Sequence, residues 1–359
     1  MSHGFRLIDT GLREGRANIA FDRALVELRQ SGAVPDTLRF IHFEPTALVG
    51  RHQDLGLELN LDFCAAHRIG TARRITGGGA IYLDPRQLGW AITCSRQVFA
   101  GDDLGTVTRR ICEAAAAGLS LLGIDARYRP RNDIEVDGRK ISGTGGYFDG
   151  DTLMFQGTVL VDLDPATIAR VLNVPKAKLA KRDLDDASQR VTTLAALLGN
   201  VPSLGEVQDA IASGMARHLG FEFTREKPGE AEEKLAGEIY HEEIGTDHFV
   251  SEIDGADRIA GTRVGHHLGA GGLVSAHLRL EGPNGDRVRE VLFTGDFFVT
   301  PPRIVFDLEA ALRQTRTADL PDAIEHYFAA LPPGGLLSIG ARDFVAAAQA
   351  ACAAAPVPA

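Results

Sequence analysis

Arg73-Arg74-Ile75-Thr76-Gly77-Gly78-Gly79-Ala80-Ile81-Tyr82-Leu83-Asp84 sets three consecutive glycines between strand-forming residues. Glycine weakens a strand, so a run of it there answers some other requirement. Two readings stand side by side. One is a bulge or barrel corner, where the chain bends sharply. The other is a loop whose bare backbone lets successive N–H groups reach an anion, with Arg73 and Arg74 adding charge beside them. The stretch has no G-x-x-x-x-G-K-[ST] and no G-x-G-x-x-G opening a helix, so P-loop and Rossmann chemistry are set aside.

Outward from this stretch the periodicity changes several times. Leu7 and Ile8 begin a short strand, and Ala17 to Gln30 forms a helix with Ile19, Ala20, Leu25 and Leu28 on one side. Leu38 to Phe43 and Thr46 to Gly50 read as strands, and Ile75 to Leu83 as strand continued through the glycines. Leu88, Trp90, Ile92 and Cys94 alternate with Gly89, Ala91 and Thr93, the pattern of a half-buried strand. Leu104 to Leu122 is the clearest helix. Three strands follow, at Arg127 to Val136, Lys140 to Tyr147 and Leu153 to Leu163, broken at the turn dipeptides Asp137-Gly138 and Asp149-Gly150. Helices are expected from Asp164-Pro165 to about Leu172 and from Leu204 to Leu219. The fold class is α+β, with mixed and antiparallel sheets flanked by helices, and a second, smaller α+β domain behind it.

The boundary is read at TREKPGEAEEK, Thr224 to Lys234, whose polar composition is that of an exposed linker. The expected division is 1–223, a 224–234 linker and 235–359. The second unit carries strands at Leu273 to Leu280 and Val288 to Phe293, and a helix at Ile304 to Thr315. EIYHEEIGTDHFV, 238–250, reads as solvated strand and turn, His266 and His267 as a loop, and Cys352 as part of a frayed tail.

A second chemical stretch runs from Arg131-Asn132-Asp133-Ile134 through the turn to Arg139-Lys140-Ile141-Ser142-Gly143. Lys140 sits among small residues that leave room for a ligand, and a solvated edge-strand lysine is the competing reading. Asn132 and Asp133 are equally turn residues or oxygen donors for Mg²⁺ near a phosphate. The formal charge of −10 and the lack of a long Lys/Arg run argue against nucleic acid. No apolar window approaches a membrane span. Four dispersed cysteines and a charged N-terminus place the chain in the cytoplasm, with reduced thiols.

At these two stretches the chain resembles the lipoate-protein ligase A family, whose hallmark is R-R-x-[ST]-G-G-G-A-[VI]-[FY]-H-D, then N-D, then R-K-[VI]-S-G. LIDTG near the start, TALVGRHQD at 46–54, QGTVLVDLD at 156–164 and SQRVTTL at 188–194 extend the likeness over about the first 220 residues. TGDFF at 294–298 resembles, less specifically, the family's small accessory domain. The resemblance implies a biotin/lipoyl ligase-like fold and an ATP-dependent enzyme that makes lipoyl-AMP and passes the lipoyl group to a lysine of a lipoyl-domain acceptor. Carried over by position, ATP falls to Arg74, Gly77, Gly78, Gly79, Ala80, Ile81, Tyr82 and Lys140. Lipoate falls to Arg73, Lys140 and Gly143, Mg²⁺ to Asn132 and Asp133, and catalysis to Lys140. Two family histidines are replaced, by Leu83 and Gln156, which puts acyl preference in question.

The rivals are a cysteine-dependent octanoyl or lipoyl transferase of the same fold, a biotin ligase, and a non-catalytic lipoyl-binding homologue. A transferase needs an activated thiolate. Cys94 falls on a core strand, Cys112 on a helix and Cys64 in an apolar helical stretch. The biotin ligases' G-R-G-R-x-[GR] loop is missing from this chain.

Overall fold

The computed structural model describes residues 3–173, 191–331, 336–337 and 339–358. Of SQRVTTL, Ser188 to Arg190 lie outside the described residues. The main sheet is built from β1 (His3–Arg13), β2 (Thr37–Phe43), β6 (Leu88–Ser95), β7 (Arg127–Arg129), β8 (Asp133–Val136), β9 (Arg139–Asp149), β10 (Thr152–Val159) and β11 (Phe221–Glu226). Its order is β11-β1-β2-β6-β10-β9-β8-β7. β1 pairs in parallel with both β2 and β11, and the remaining pairs are antiparallel. A small second sheet joins β3 (Thr46–Val49), β4 (Gly70–Arg73) and β5 (Ile81–Leu83) in the order β4-β3-β5. The mixed α+β architecture is therefore the one read from the sequence.

Helix α1 (Gly15–Gln30) covers one face of the main sheet, and α2 (Leu104–Ser120) with α3 (Leu204–Leu219) the other. β6 is consequently buried along its whole length and not half-exposed. Its larger residues, Leu88, Trp90, Ile92 and Cys94, join the core under α2, while Ala91 joins the core under α1. The alternating positions Gly89, Ala91 and Thr93 are small and buried because a helix packs on that face too. The glycine stretch also departs from the sequence reading: strand stops at Arg73 and resumes at Ile81, leaving 74–80 as a loop.

The 224–234 stretch, expected as a linker, is mostly regular structure. Thr224 to Glu226 belong to β11, and Glu230 to Lys234 open helix α4 (Glu230–Ile239), which packs on α1. Its charges serve ion pairs: Arg6 donates to Glu232, both buried, and Arg13 to Glu233 at 2.9 Å. Ala236, Ile239, Ile244 and Phe249 complete the apolar cluster over α1. The 238–250 stretch is helical, not strand and turn, and restarts at Thr246, whose Oγ1 accepts from the Phe249 N–H.

The C-terminal core runs from Val274 to Ala351. It is an antiparallel sheet of β12 (Arg263–Gly269), β13 (Gly272–Glu281) and β14 (Arg287–Gly295), backed by α5 (Ile304–Ala311) and α6 (Ala341–Ala353). His266 and His267 lie on β12, not in a loop, one facing Ser275 and the other Asp343. Cys352 is within α6. We propose that the domain boundary falls near 255–262. A chain ending at Gly229 is expected to be less stable than one ending at Asp257 by about 3–5 kcal/mol or more, since it uncovers the apolar cluster that Ala236, Ile239, Ile244 and Phe249 complete and removes Glu232 from Arg6. Denaturant unfolding of the two truncations checks this, and equal stabilities would restore the earlier boundary.

Candidate active site

The loop at 74–80 is braced from inside. Arg74 leaves β4 on the opposite side from Arg73, as successive residues do. Its guanidinium donates to the carbonyls of Gly77 at 3.0 Å and Gly79 at 2.9 Å. Burial holds Arg74 down to about 10, which leaves it a cation at neutral pH. Thr76 Oγ1 donates to Gln156 Oε1 at 3.1 Å, and Gln156 Nε2 donates to Asp22, itself buried against Arg39. Burial pushes the Asp22 carboxyl up, against the pull of Arg39.

Two of the three glycines answer the second domain. Gly78, at φ +96°, donates its N–H to the Phe297 carbonyl at 3.1 Å. A Cβ on Gly77 would stand 2.2 Å from that same oxygen, and one on Gly78 2.5 Å from the Phe298 ring. The glycines thus let a strand of the C-terminal unit sit on the loop, a requirement invisible from the motif alone. Phe298 reaches on to Gly145, where a Cβ would be 2.2 Å from its ring.

Between this loop, β9 and β10 lies a cavity of about 270 Å³. Ile19, Ile41, Phe43, Leu48 and Leu83 make an apolar lobe, and Arg74, Gly77 to Gly79, Asn132 and Lys140 a polar wall. Ala80, Ile81, Tyr82 and Gly143 also line it, so the sequence brought most of the expected residues to one place. Lys140 Nζ pairs with Asp133 Oδ1 at 2.7 Å and keeps about a third of its side chain exposed. Gly143 makes room for it: a Cβ there would lie 2.7 Å from Nζ.

Three expected roles do not fit. Arg73 is fully buried and does not line the cavity; it donates to the carbonyls of Gln53 at 2.5 Å and Val250 at 2.7 Å, and to Asp254 at 3.3 Å. Asp133 has both carboxylate oxygens in ion pairs, with Lys140 and Arg129. Asn132 donates its Nδ2 to the Thr144 carbonyl at the open end of the β8–β9 hairpin. Engaged in this way with the protein, Asn132 and Asp133 do not form a Mg²⁺ site.

The sequence reading did not anticipate Phe298, Trp90 or Gln87 in the cavity wall. TGDFF was a signal for Phe298; nothing local marked Gln87. Among the described residues, which include all four cysteines, no cysteine lines the cavity. Cys64, Cys94 and Cys112 are buried, and burial pushes the Cys112 thiol up to about 12 and that of Cys94 well above its ordinary range.

The pattern that defines the lipoyl protein ligase A/B catalytic domain matches residues 14–216. An octanoyltransferase LipM of Symbiobacterium thermophilum is 30% identical over 272 residues, covering 69% of this chain and 98% of the relative. Among solved structures, one from an archaeal lipoylation system, described as a bipartite lipoate protein ligase and its E2 lipoyl domain from Thermoplasma acidophilum, is 26% identical. It aligns with TM-score 0.61, over 71% of this chain and 98% of that one. A lipoate-protein ligase A bound with ATP is 25% identical, with TM-score 0.60, over 70% of this chain and 99% of that one.

Proposed function

This chain belongs to the lipoyl protein ligase A/B catalytic family, and from that premise we propose that it is an ATP-dependent lipoate ligase, not a thiol transferase. One observation carries the choice: the cavity joins an apolar lobe to Arg74 and Lys140, while among the described residues no cysteine borders it. A thioester route needs a thiolate at the acyl carbon, and burial holds the Cys94 and Cys112 thiols protonated. The ATP-bound ligase neighbour supports the nucleotide as co-substrate.

In this reading the acyl chain fills the lobe of Ile41, Phe43, Leu48 and Leu83, with its carboxylate at Lys140. The triphosphate lies along the Gly77–Gly79 backbone. A carboxylate oxygen attacks the α-phosphorus, the bond to the leaving phosphate breaks, and diphosphate departs. Lys140 holds the two anions together and offsets the charge that builds between them. The ε-amine of an acceptor lysine then attacks the acyl carbon, and AMP leaves with the bonding pair. A lipoyl domain is the proposed acceptor, as the E2 lipoyl domain paired with the Thermoplasma ligase suggests. Lipoate and octanoate remain alternatives for the acyl group, because Leu83 and Gln156 stand where the family carries histidines.

The test follows covalent state. Replacing Cys64, Cys94, Cys112 and Cys352 singly by alanine is expected to leave turnover per folded molecule within about threefold, with roughly a kcal/mol of stability lost at Cys94 or Cys112. Intact mass after incubation with lipoate and ATP should show no hydroxylamine-sensitive adduct, and AMP should appear on adding acceptor. A cysteine thioester, or transfer from an acyl-carrier donor without ATP, would move the chain to the transferase class.

A further inference from the structure

Three carboxamides line the cavity, Asn132, Gln156 and Gln87, and they differ in what they hold. Asn132 donates to the Thr144 carbonyl. Gln156 engages the protein at both ends, donating to Asp22 and accepting from Thr76. Gln87 engages it at neither: its side chain is 1% exposed, and Nε2 and Oε1 both lack a hydrogen-bond partner among the described residues. A buried amide left unpaired is a destabilising feature, so one that borders a ligand cavity is best accounted for by a polar group of the ligand.

The backbone fixes where Gln87 reaches. Its N–H closes a turn onto the Asp84 carbonyl at 3.1 Å, and the next residue, Leu88, pairs with Val159 on β10. Leu160, following Val159, donates its N–H to the Ile141 carbonyl, beside Lys140. Gln87 therefore starts two strands from Lys140, roughly 10 Å across the sheet, and both side chains line the same cavity. A single carboxyl group fits between two such side chains. Leu83, Ile41, Phe43 and Leu48 are apolar, and the other unpaired buried donor in the wall, Trp90 Nε1, stands against Gly157 with its ring in the core under α2. Arg74, on the polar side, is already bound to loop carbonyls.

We propose that Gln87 is a substrate-contacting residue whose Nε2 donates to one carboxyl oxygen of a medium-chain acyl substrate, while Lys140 takes the other. This rests on reading the cavity as an acyl-carboxylate site. Gln87 then fixes how the carboxylate is turned relative to the phosphate, and it keeps its hold on the acyl oxygen after the adenylate forms.

The experiment measures octanoate and octan-1-ol binding by calorimetry to the full chain, to Gln87→Leu and to Gln87→Glu. Octan-1-ol keeps the chain and lacks the carboxylate. Both variants are expected to bind octanoate about ten- to a hundredfold more weakly, the range for a hydrogen bond to a charged group. Octan-1-ol affinity of Gln87→Leu should stay within about threefold. The melting temperature of Gln87→Leu should not fall, because two unpaired buried atoms are removed. Octanoate affinity unchanged in both variants, an equal loss for the alcohol, or no octanoate binding by the unaltered chain would each overturn the proposal. Lipoate-dependent exchange of labelled diphosphate into ATP by the unaltered chain decides the ligase reading separately.

Discussion

Lys140→Ala is expected to fold as the parent does and to lose acyl-adenylate synthesis by roughly a hundred- to a thousandfold, the usual consequence of deleting one preorganised transition-state contact. The fold should survive because Lys140 is a partly exposed cation on β9, not part of an apolar cluster. Its partner Asp133 keeps Arg129 at 2.6 Å, so no carboxylate is left alone. Lys140→Arg should not rescue. The clearance beside Lys140 comes from Gly143, and a planar guanidinium needs more width than an ammonium. Diphosphate exchange driven by lipoate, read beside a thermal melt, checks both halves. Near-parental exchange by Lys140→Ala would remove this lysine from the chemistry.

How far such a site can be read from sequence depends on where the determining contact lies. Strand and helix positions were legible because their signals are local: the Asp137-Gly138 turn, both residues at positive φ, and the 3.6-residue stripe of the 104–120 helix both recur in the structure. The lining residues Arg74, Gly77 to Gly79, Lys140 and Gly143 were legible only through the ordered motifs of the family. What failed was non-local. TREKPGEAEEK has a linker's composition, yet Glu232 meets Arg6 across 226 residues, and no window on either segment carries that pairing. Gln87 was silent for the same reason. Its distinction is the lack of a partner in the fold, and a lone glutamine before a strand looks like any other. The glycines were read as freedom to approach phosphate, while two of them also accommodate Phe297 and Phe298 from the far end of the chain.

Arg73→Leu separates the two arginines of the motif, and it is expected to lower stability by about 3–5 kcal/mol while leaving acyl binding by the folded fraction within about threefold. Arg73 is fully buried, and its guanidinium meets carbonyls of Gly50, Arg51, Gln53, Phe249 and Val250 as well as Asp254. Leucine fills much of the volume but satisfies none of those acceptors, so several buried carbonyls lose their donor together. The pH dependence sharpens the test. Burial, with Asp54 nearby, raises Asp254 to about 6 despite the counter-pull of Arg73. A carboxyl raised in the folded state contributes stability that is fully present below its unfolded value and lost as pH rises through the folded one. Without Arg73 the folded value moves higher still. The deficit of Arg73→Leu against the parent should therefore widen between pH 5 and pH 8. Denaturant unfolding at the two pH values measures this directly, alongside lipoate titration of the folded variant. Unchanged stability with acyl affinity reduced tenfold or more would return Arg73 to the substrate.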